Sequence, residues 1–572
     1  MVTKPFESRI QDLVYNVDVG FGLRFIKGGL YFLFIFIVML MYTATQFRGL
    51  KDPEAMDFAQ LGRNLAQKGS LVTEYVRPAS LWYLRNPRAK HDAVINRHPD
   101  IVHPPLYPVF LAVLFKTTGV SFDFNRATGP IPPEQWIMVP LNHAFTLLTG
   151  LLVYLLGRRL FDGRLALLAT TVFFLSDRVW AESISGTGVS LCMFLTTAIL
   201  YFILVATTNY QEGLRKLHWL LPLAISVLLC IGAFLTRYAL IVLVPAVALH
   251  VGLMFRKRAW LWIAGILLVV LIGVSPWLIR NKAVSGGFLG LAPYTALNDS
   301  PMFEGDSFER ALSPKLKAGA VVNALQIKWM EKMAGFYHLQ IRTVGDGILI
   351  CFFIVTFFYR FARPSVNLFR WSVALGFALL LSLAAFFGDP TIRLLPIFWP
   401  AVILYGLAFF SVLLDRLQFP IRLLNSAVTT LVVLLSALPL VFTILPPRAS
   451  VPYPPYFPPF ITHVSKMLTA DELMCTDMPW ATAWYGNRNS ILIPASVDEF
   501  YEINDYVKRV GGIYFTTLTR DKPYVRGLLT GSYRTWFPIL EGRIPGDFPL
   551  TQGFPLNNMD QLFLTDRIRW NR

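Results

Sequence analysis

Three carboxylates stand within six residues of one another just after the first long apolar run, at Asp52, Glu54 and Asp57. A membrane enzyme would place a catalytic base just outside a membrane crossing, whereas a transporter more often buries its charges at mid-bilayer. The dipole at a helix N-terminus also favours acidic residues, and this accounts more easily for one acid than for three. The spacing therefore predicts a proton acceptor in this group, and Asp57 is preferred narrowly over Glu54 and Asp52.

A second acidic pair, Asp177 and Glu182, lies in a short polar turn between two apolar runs. Solvated loop charges are common, but this turn is so short that both acids must lie at the membrane surface. If the turn faces the first loop, the pair could orient an acceptor or hold a divalent cation.

Three arginines, Arg237, Arg280 and Arg393, stand at the ends of apolar runs on the same side as these acids. They could extend towards the membrane surface without a partner. A guanidinium is also well suited to hold a lipid phosphate with paired N–H donors. Because arginines on the outer side oppose the usual charge bias, we expect an anionic partner there.

Two histidines, His98 and His103, flank a proline in the first loop. Together with nearby acids they could hold a divalent metal ion, although a loop histidine is more often simply polar. A metal site at these residues is a second, weaker expectation.

The composition indicates the class of protein that carries these groups. Of the 572 residues, 55% are hydrophobic and 15% are charged, with a mean hydropathy of +0.51. A soluble domain carries about 25% charged residues. The apolar runs are continuous and near 20 residues long, which predicts a polytopic α-helical membrane protein and not a β-barrel.

The net charge of +17 comes largely from basic clusters beside apolar runs, such as Arg158-Arg159 and Arg256-Lys257-Arg258. This placement is typical of cytoplasmic loops that face anionic headgroups, so nucleic acid is not an expected partner. The four cysteines are scattered and show neither metal-ligand nor disulfide spacing.

About eleven apolar runs could span a membrane. They fall near residues 29–47, 136–157, 164–178, 187–206, 217–235, 238–255, 259–279, 346–362, 368–387, 391–414 and 424–446. The run at 104–116 is too short to cross the membrane, so we expect it to lie at the membrane interface. With the N-terminus in the cytoplasm, this topology places five Arg/Lys-rich loops on the cytoplasmic side, as the usual charge bias requires.

This topology predicts a cytoplasmic segment at 1–28, a transmembrane module at 29–446 and a periplasmic α/β domain at 447–572. The module includes external loops at 48–135 and 280–345. After a proline-rich linker, the tail is expected to contain a helix at 470–474, a strand at 490–493, a helix at 497–509 and a strand at 512–517.

Several motifs, taken in order, resemble the GT-C superfamily of integral-membrane glycosyltransferases. The likeness is to the bacterial branch that is related to protein O-mannosyltransferases and to the lipid A aminoarabinose transferase. The matching segments are Phe58–Gly69, His103–Pro108, Gly157–Gly163, Ser176–Glu182, Leu235–Pro245, Pro276–Asn281 and Arg393–Pro400. They lie within residues 30–415, so the C-terminal tail is outside the resemblance.

The resemblance implies transfer of a sugar from a polyprenyl-phosphate donor to a glycan, lipid or protein acceptor, with inversion at the anomeric carbon. It implies a base in the first external loop near Glu54 or Asp57, a second acid at Glu182 and a donor-phosphate ligand at Arg393. It also implies a multi-pass protein of a bacterial inner membrane whose active site faces the periplasm. The main alternative is a polytopic transporter or lipid flippase, which would carry charges inside its spans.

Overall fold

A computed structural model describes residues 21–85, 95–124, 131–340, 344–417, 422–445, 458–519, 529–531, 534–556 and 561–570. The first helix begins at Phe21, ahead of the apolar run expected near residue 29. Most of the expected cytoplasmic segment and the proline-rich linker lie outside the described residues.

The helices up to the second external loop alternate between long apolar helices and shorter ones in the loops. They are α1 (Phe21–Gln46), α2 (Pro53–Lys68), α3 (Pro78–Leu84), α4 (Leu106–Thr118), α5 (Val139–Leu160), α6 (Gly163–Phe174), α7 (Asp177–Ser185), α8 (Val189–Gln211), α9 (Lys216–Thr236), α10 (Leu243–Phe255) and α11 (Ala259–Ser285).

The remaining helices complete the membrane module and cover the C-terminal sheet. They are α12 (Ser307–Arg310), α13 (Ala318–Gln340), α14 (Val344–Val355), α15 (Pro364–Phe387), α16 (Asp389–Ile392), α17 (Trp399–Leu417), α18 (Arg422–Ile444), α19 (Pro458–Lys466), α20 (Pro479–Trp484), α21 (Val497–Tyr506) and α22 (Phe537–Leu540).

Among the described residues, eight helical stretches are long and apolar enough to cross a membrane. The stretch Tyr238–Ser285 has 48 residues and contains both α10 and α11, so it accounts for two crossings. With the shorter apolar helices α6 and α14, these stretches correspond to the eleven runs of the sequence. The chain is therefore an α-helical polytopic membrane protein.

Helix α2 presents the acidic segment of the first loop and is shaped by its end residues. Asp52 precedes the helix in an extended conformation (φ −89°, ψ 130°), and Pro53 occupies the first turn, where its missing N–H costs nothing. Gly69 ends the helix with a left-handed φ of 66°, which a residue with a side chain rarely adopts. The buried residues of α2 include Asp57 and Arg63.

Like α6 and α14, helix α4 is shorter than a hydrocarbon core of about 30 Å, since its 13 residues extend about 20 Å at 1.5 Å per residue. It packs directly on α2. At Gly62 an added Cβ would lie 2.8 Å from the Cβ of Leu111, so the two helices approach closely only because this residue is glycine.

The C-terminal region contains a six-stranded sheet with the order β1-β3-β2-β4-β6-β5. The strands are β1 (Tyr75–Val76), β2 (Leu473–Thr476), β3 (Ser490–Leu492), β4 (Val510–Phe515), β5 (Gln552–Leu556) and β6 (Gln561–Thr565). The first four in the order are parallel, and β6 and β5 pair antiparallel.

The expected strands near 490–493 and 512–517 are confirmed as β3 and β4, and the helix near 497–509 is confirmed as α21. The expected helix at 470–474 is wrong, because Leu473–Thr476 is a fully buried strand at the centre of the sheet. Strand β1 comes from the first external loop, so residues 447–572 do not build this sheet alone.

One buried arginine joins helix α2 to the C-terminal region. Arg63 donates to the carbonyl oxygens of Trp484 and Ala483, each at 2.8 Å, and forms an ion pair with Glu74 at 2.5 Å. Its guanidinium also lies 5.5 Å from the centre of the Trp484 ring. These contacts connect α2 both to α20 of the C-terminal region and to Glu74, the residue before β1.

Replacing Arg63 should therefore loosen this junction. Arg63→Met removes one partner of a buried ion pair, a change that typically costs about 3–5 kcal/mol. We expect a clear fall in the Tm of the purified protein, measured by intrinsic fluorescence. Arg97→Met, at an exposed arginine of the same loop, serves as the control and should leave the Tm nearly unchanged.

Candidate active site

Two carboxylates at the start of α2 each form an ion pair with an arginine from a distant turn. Glu54 pairs with Arg237, which follows α9, and Asp52 pairs with Arg393, which follows α16. The sequence separations are 183 and 341 residues. The fold thus brings together two of the predicted acids and two of the predicted arginines.

Glu182 on helix α7 completes this group electrostatically, because its carboxyl group interacts with the charges of Asp52, Arg237 and Arg393. We call Asp52, Glu54, Glu182, Arg237 and Arg393 the carboxylate–arginine cluster. It joins the first external loop to three turns that connect membrane helices.

The two arginines of the cluster differ in their freedom to bind a ligand. Arg237 is buried, donates to the carbonyl oxygen of Thr187 at 2.8 Å and lies 4.9 Å from the centre of the Phe58 ring. The side chain of Arg393 is 40% exposed. Arg393 can therefore be the first to meet an incoming anion, and the more buried Arg237 offers a second positive charge beside it.

The cluster moves the pKa values of its two glutamates in opposite directions. Burial would raise the pKa of Glu54, but the positive charges of Arg237, His103 and Arg393 outweigh it and hold the pKa below its usual value. Burial and the negative charge of Asp52 raise the pKa of Glu182 to about 7, against the opposing effect of the nearby arginines. Near neutral pH the cluster thus contains an ionised Glu54 and a Glu182 that can hold a proton.

Asp57 lies in a second, buried network. Its side chain is 2% exposed, and it accepts hydrogen bonds from Arg77 at 2.9 Å and from Gln60 at 2.8 Å. His103 approaches the same carboxylate at 3.7 Å. The acid preferred narrowly from the sequence is thus surrounded by fixed partners and shielded from solvent.

The second network extends to residues that sequence reasoning missed. Arg77 also binds Glu309 of the second external loop, at 3.1 Å, and its guanidinium lies 3.9 Å from the centre of the Tyr75 ring. Asn298 donates to the other oxygen of Glu309 at 2.8 Å. No local pattern marks these residues, because Glu309 lies 232 residues from Arg77 in the chain.

The two histidines of the predicted metal site have separate partners. His103 faces Asp57 and Asp100, and these acids raise its pKa although burial acts to lower it. His98 bonds to Ser80 at 2.8 Å, and burial lowers its pKa to about 4. Across the described ranges, no three His, Cys, Asp or Glu side chains converge as a metal site.

Arg280 and Asp177 stand in contacts outside the cluster. Arg280 donates to the carbonyl oxygen of Asp100 at 2.7 Å and lies over the Trp277 ring, so it supports the segment that carries His103. Asp177 is hydrogen-bonded to Tyr42 near the end of α1. Of the residues predicted for donor binding and for the second acid, the structure therefore brings Arg237, Arg393 and Glu182 together.

The same architecture is found in solved membrane proteins. ArnT from Cupriavidus metallidurans, bound to undecaprenyl phosphate, matches with a TM-score of 0.56 and 12% identity, over 94% of this chain and 98% of its own. AglB, an archaeal oligosaccharyltransferase from Archaeoglobus fulgidus in complex with an inhibitory peptide and a dolichol-phosphate, matches with a TM-score of 0.55 and 12% identity. That match covers 88% of this chain and 72% of AglB. The chain has the GT-C fold.

The fold that the order of motifs predicted is confirmed by these neighbours. No protein-family model matches the sequence, and no curated protein matches it. The similarity to ArnT and AglB is therefore found by comparing structures, because a sequence identity of 12% is too low for the sequence comparisons to detect it.

The raised pKa of Glu182 predicts a pH-dependent contribution to stability. The folded protein binds this proton more tightly than the unfolded chain, whose glutamate has a pKa near 4.5, so stability should fall as the pH rises through about 7. Glu182→Gln mimics the protonated acid and removes this loss. The Tm of the variant relative to wild type should therefore be more favourable at pH 8 than at pH 5.

Scanning calorimetry in detergent at the two pH values would measure this difference. Glu331→Gln, at an exposed glutamate of α13, controls for the loss of one carboxylate. An equal Tm difference at pH 5 and pH 8 for Glu182→Gln would contradict the assignment.

Proposed function

We propose that this protein is a glycosyltransferase that moves a sugar from a polyprenyl-phosphate carrier to an acceptor at the outer face of a bacterial inner membrane. The observation that carries the proposal is the carboxylate–arginine cluster, in which acids and cations meet at the start of α2. The GT-C fold supports it, since the two solved neighbours contain undecaprenyl phosphate and dolichol-phosphate.

The arginines of the cluster fit the leaving group of this reaction. When the acceptor attacks the anomeric carbon, the bond from that carbon to the phosphate oxygen breaks, and the phosphate gains a negative charge. Arg393 and Arg237 would bind this phosphate and stabilise the added charge in the transition state. In this proposal the phosphate oxygens replace the carboxylate partners of the two arginines.

Glu54 is the proposed base. Its pairing with Arg237 keeps it ionised, and binding of the donor phosphate to the arginines would release its carboxylate to take the proton from the acceptor hydroxyl or amine. Asp57 is held by Arg77 and Gln60, so we assign it a role in positioning α2. Asp52 would hold Arg393 in place before the donor arrives.

A single displacement of this kind inverts the anomeric centre, because it needs no glycosyl-enzyme intermediate. The cluster lies at the ends of the membrane helices. A glycan, a lipid or a protein acceptor could reach it there. A lipid flippase is the competing function. Sugar transfer releases free undecaprenyl phosphate, whereas lipid translocation alone does not.

Glu54→Gln should reduce sugar transfer by about 10²–10⁴-fold, since a positioned general base contributes a factor of that size. Proteoliposomes with wild-type or variant protein would receive a panel of undecaprenyl-phosphate sugars and an envelope extract as acceptor. Release of free undecaprenyl phosphate would be measured by mass spectrometry.

Two further variants make this test specific. Glu331→Gln should retain full transfer, whereas Asp57→Asn should lower the Tm as well as the activity, because it breaks a buried ion pair with Arg77. Wild-type transfer by Glu54→Gln would refute its role as base. Lipid translocation without any transfer by the wild type would support the flippase instead.

Arg393→Gln should weaken binding of undecaprenyl phosphate by roughly tenfold or more, because a charge-assisted contact with a phosphate is worth about 1.5–3 kcal/mol. Native mass spectrometry of the purified protein with this lipid would give the apparent Kd. Arg164→Gln, at an exposed arginine at the start of α6, should leave it unchanged. Equal affinities for all three proteins would show that Arg393 does not hold the phosphate.

A further inference from the structure

A basic pocket lies at the opposite end of the membrane helices from the carboxylate–arginine cluster. Helix α15 starts beside this pocket at Pro364 and ends at Phe387, just before the turn that carries Arg393. Its 24 residues span about 36 Å at 1.5 Å per residue. The pocket and the cluster therefore lie near opposite faces of the bilayer.

The pocket has a volume of about 410 Å³ and is formed around the connection between α14 and α15. Two side chains of α15 hold this connection in shape. Arg370 donates to the carbonyl oxygens of Thr356 and Tyr359, and Asn367 bonds to both the N–H and the carbonyl oxygen of Phe361. The backbone around the pocket is thus held in place without a ligand.

The charge of the pocket is positive. Arg370 is 6% exposed and lines the pocket, yet its Nε finds no hydrogen-bond partner among the described residues. Arg360 also lines the pocket and is exposed. Neither Asp nor Glu is among the described residues that line it. A buried guanidinium N–H without a partner and a nearby exposed arginine together fit an oxygen-rich anion.

An apolar surface leads to this pocket along the end of α14. Ile354 and Val355 are exposed, and Phe358, which lines the pocket, is 87% exposed. On a helix that crosses a bilayer, such a surface contacts acyl chains. A free phosphate ion would use only the arginines, whereas a phospholipid would use the arginines and this surface together.

We propose that the pocket binds the phosphate group of an anionic phospholipid of the inner leaflet. The exposed guanidinium of Arg360 donates hydrogen bonds to the phosphate, the buried positive charge of Arg370 lies behind it, and an acyl chain lies along Ile354, Val355 and Phe358. This site is independent of the proposed sugar transfer. It anchors the connection between α14 and α15 to the cytoplasmic side of the membrane.

Native mass spectrometry of the full-length protein with phosphatidylglycerol tests the site. Arg360→Gln should weaken binding about fivefold, the effect expected for one basic residue at an anionic membrane surface. Arg258→Gln removes one exposed charge from another loop on the same side and should change the affinity less than twofold. Phe358→Gln should also weaken binding of the lipid, since it removes the apolar contact.

Three results would overturn the proposal. The first is an equal effect of Arg360→Gln and Arg258→Gln, which would show a general surface-charge effect. The second is binding of zwitterionic phosphatidylcholine as tightly as phosphatidylglycerol. The third is full competition by inorganic phosphate at the lipid's own affinity, which would assign the arginines to a free ion.

Discussion

One end of this protein depends on pairing carboxylates with arginines next to the ends of its membrane helices. A buried carboxylate is destabilised unless it is paired, and Asp52, Glu54 and Asp57 are each matched by a guanidinium from elsewhere in the chain. Arg393 forms an ion pair with Asp52, and Arg237 forms one with Glu54. Arg77 forms an ion pair with Asp57. These pairs draw the first loop onto turns that lie far away in the sequence. In the proposed mechanism an incoming phosphate exchanges with the carboxylates of Asp52 and Glu54 for the same arginines.

Helix α2 is held at its other end by the C-terminal region. Arg63 binds two carbonyl oxygens of α20, and Glu134 accepts hydrogen bonds from the Trp484 indole and from the N–H of Leu50, close to the acidic segment. Strand β1 of the same loop adds an edge to the C-terminal sheet. The tail is thus part of the scaffold that orients the acids, and the first loop is part of the tail's fold.

The elements with a local signal could be predicted from the sequence. Apolar runs of about 20 residues marked the membrane helices, and the order of short motifs indicated the GT-C fold. Arg237 and Arg393 could be singled out because the predicted topology puts them on the side of the membrane where arginines are uncommon. The partners of each acid could not be predicted, since Arg77 and Glu309 meet across 232 residues and only the packed loops place them together. Strand β2 was mistaken for a helix because so short a buried segment has no distinguishing period.

In the proposed function the carboxylate–arginine cluster binds a polyprenyl phosphate. The most direct test is a cryo-electron microscopy structure of the protein with undecaprenyl phosphate. We predict density for the phosphate within hydrogen-bonding distance of Arg393 and Arg237, with the Glu54 carboxylate released from Arg237. A phosphate bound away from both arginines, with the Glu54–Arg237 and Asp52–Arg393 pairs intact, would contradict the account.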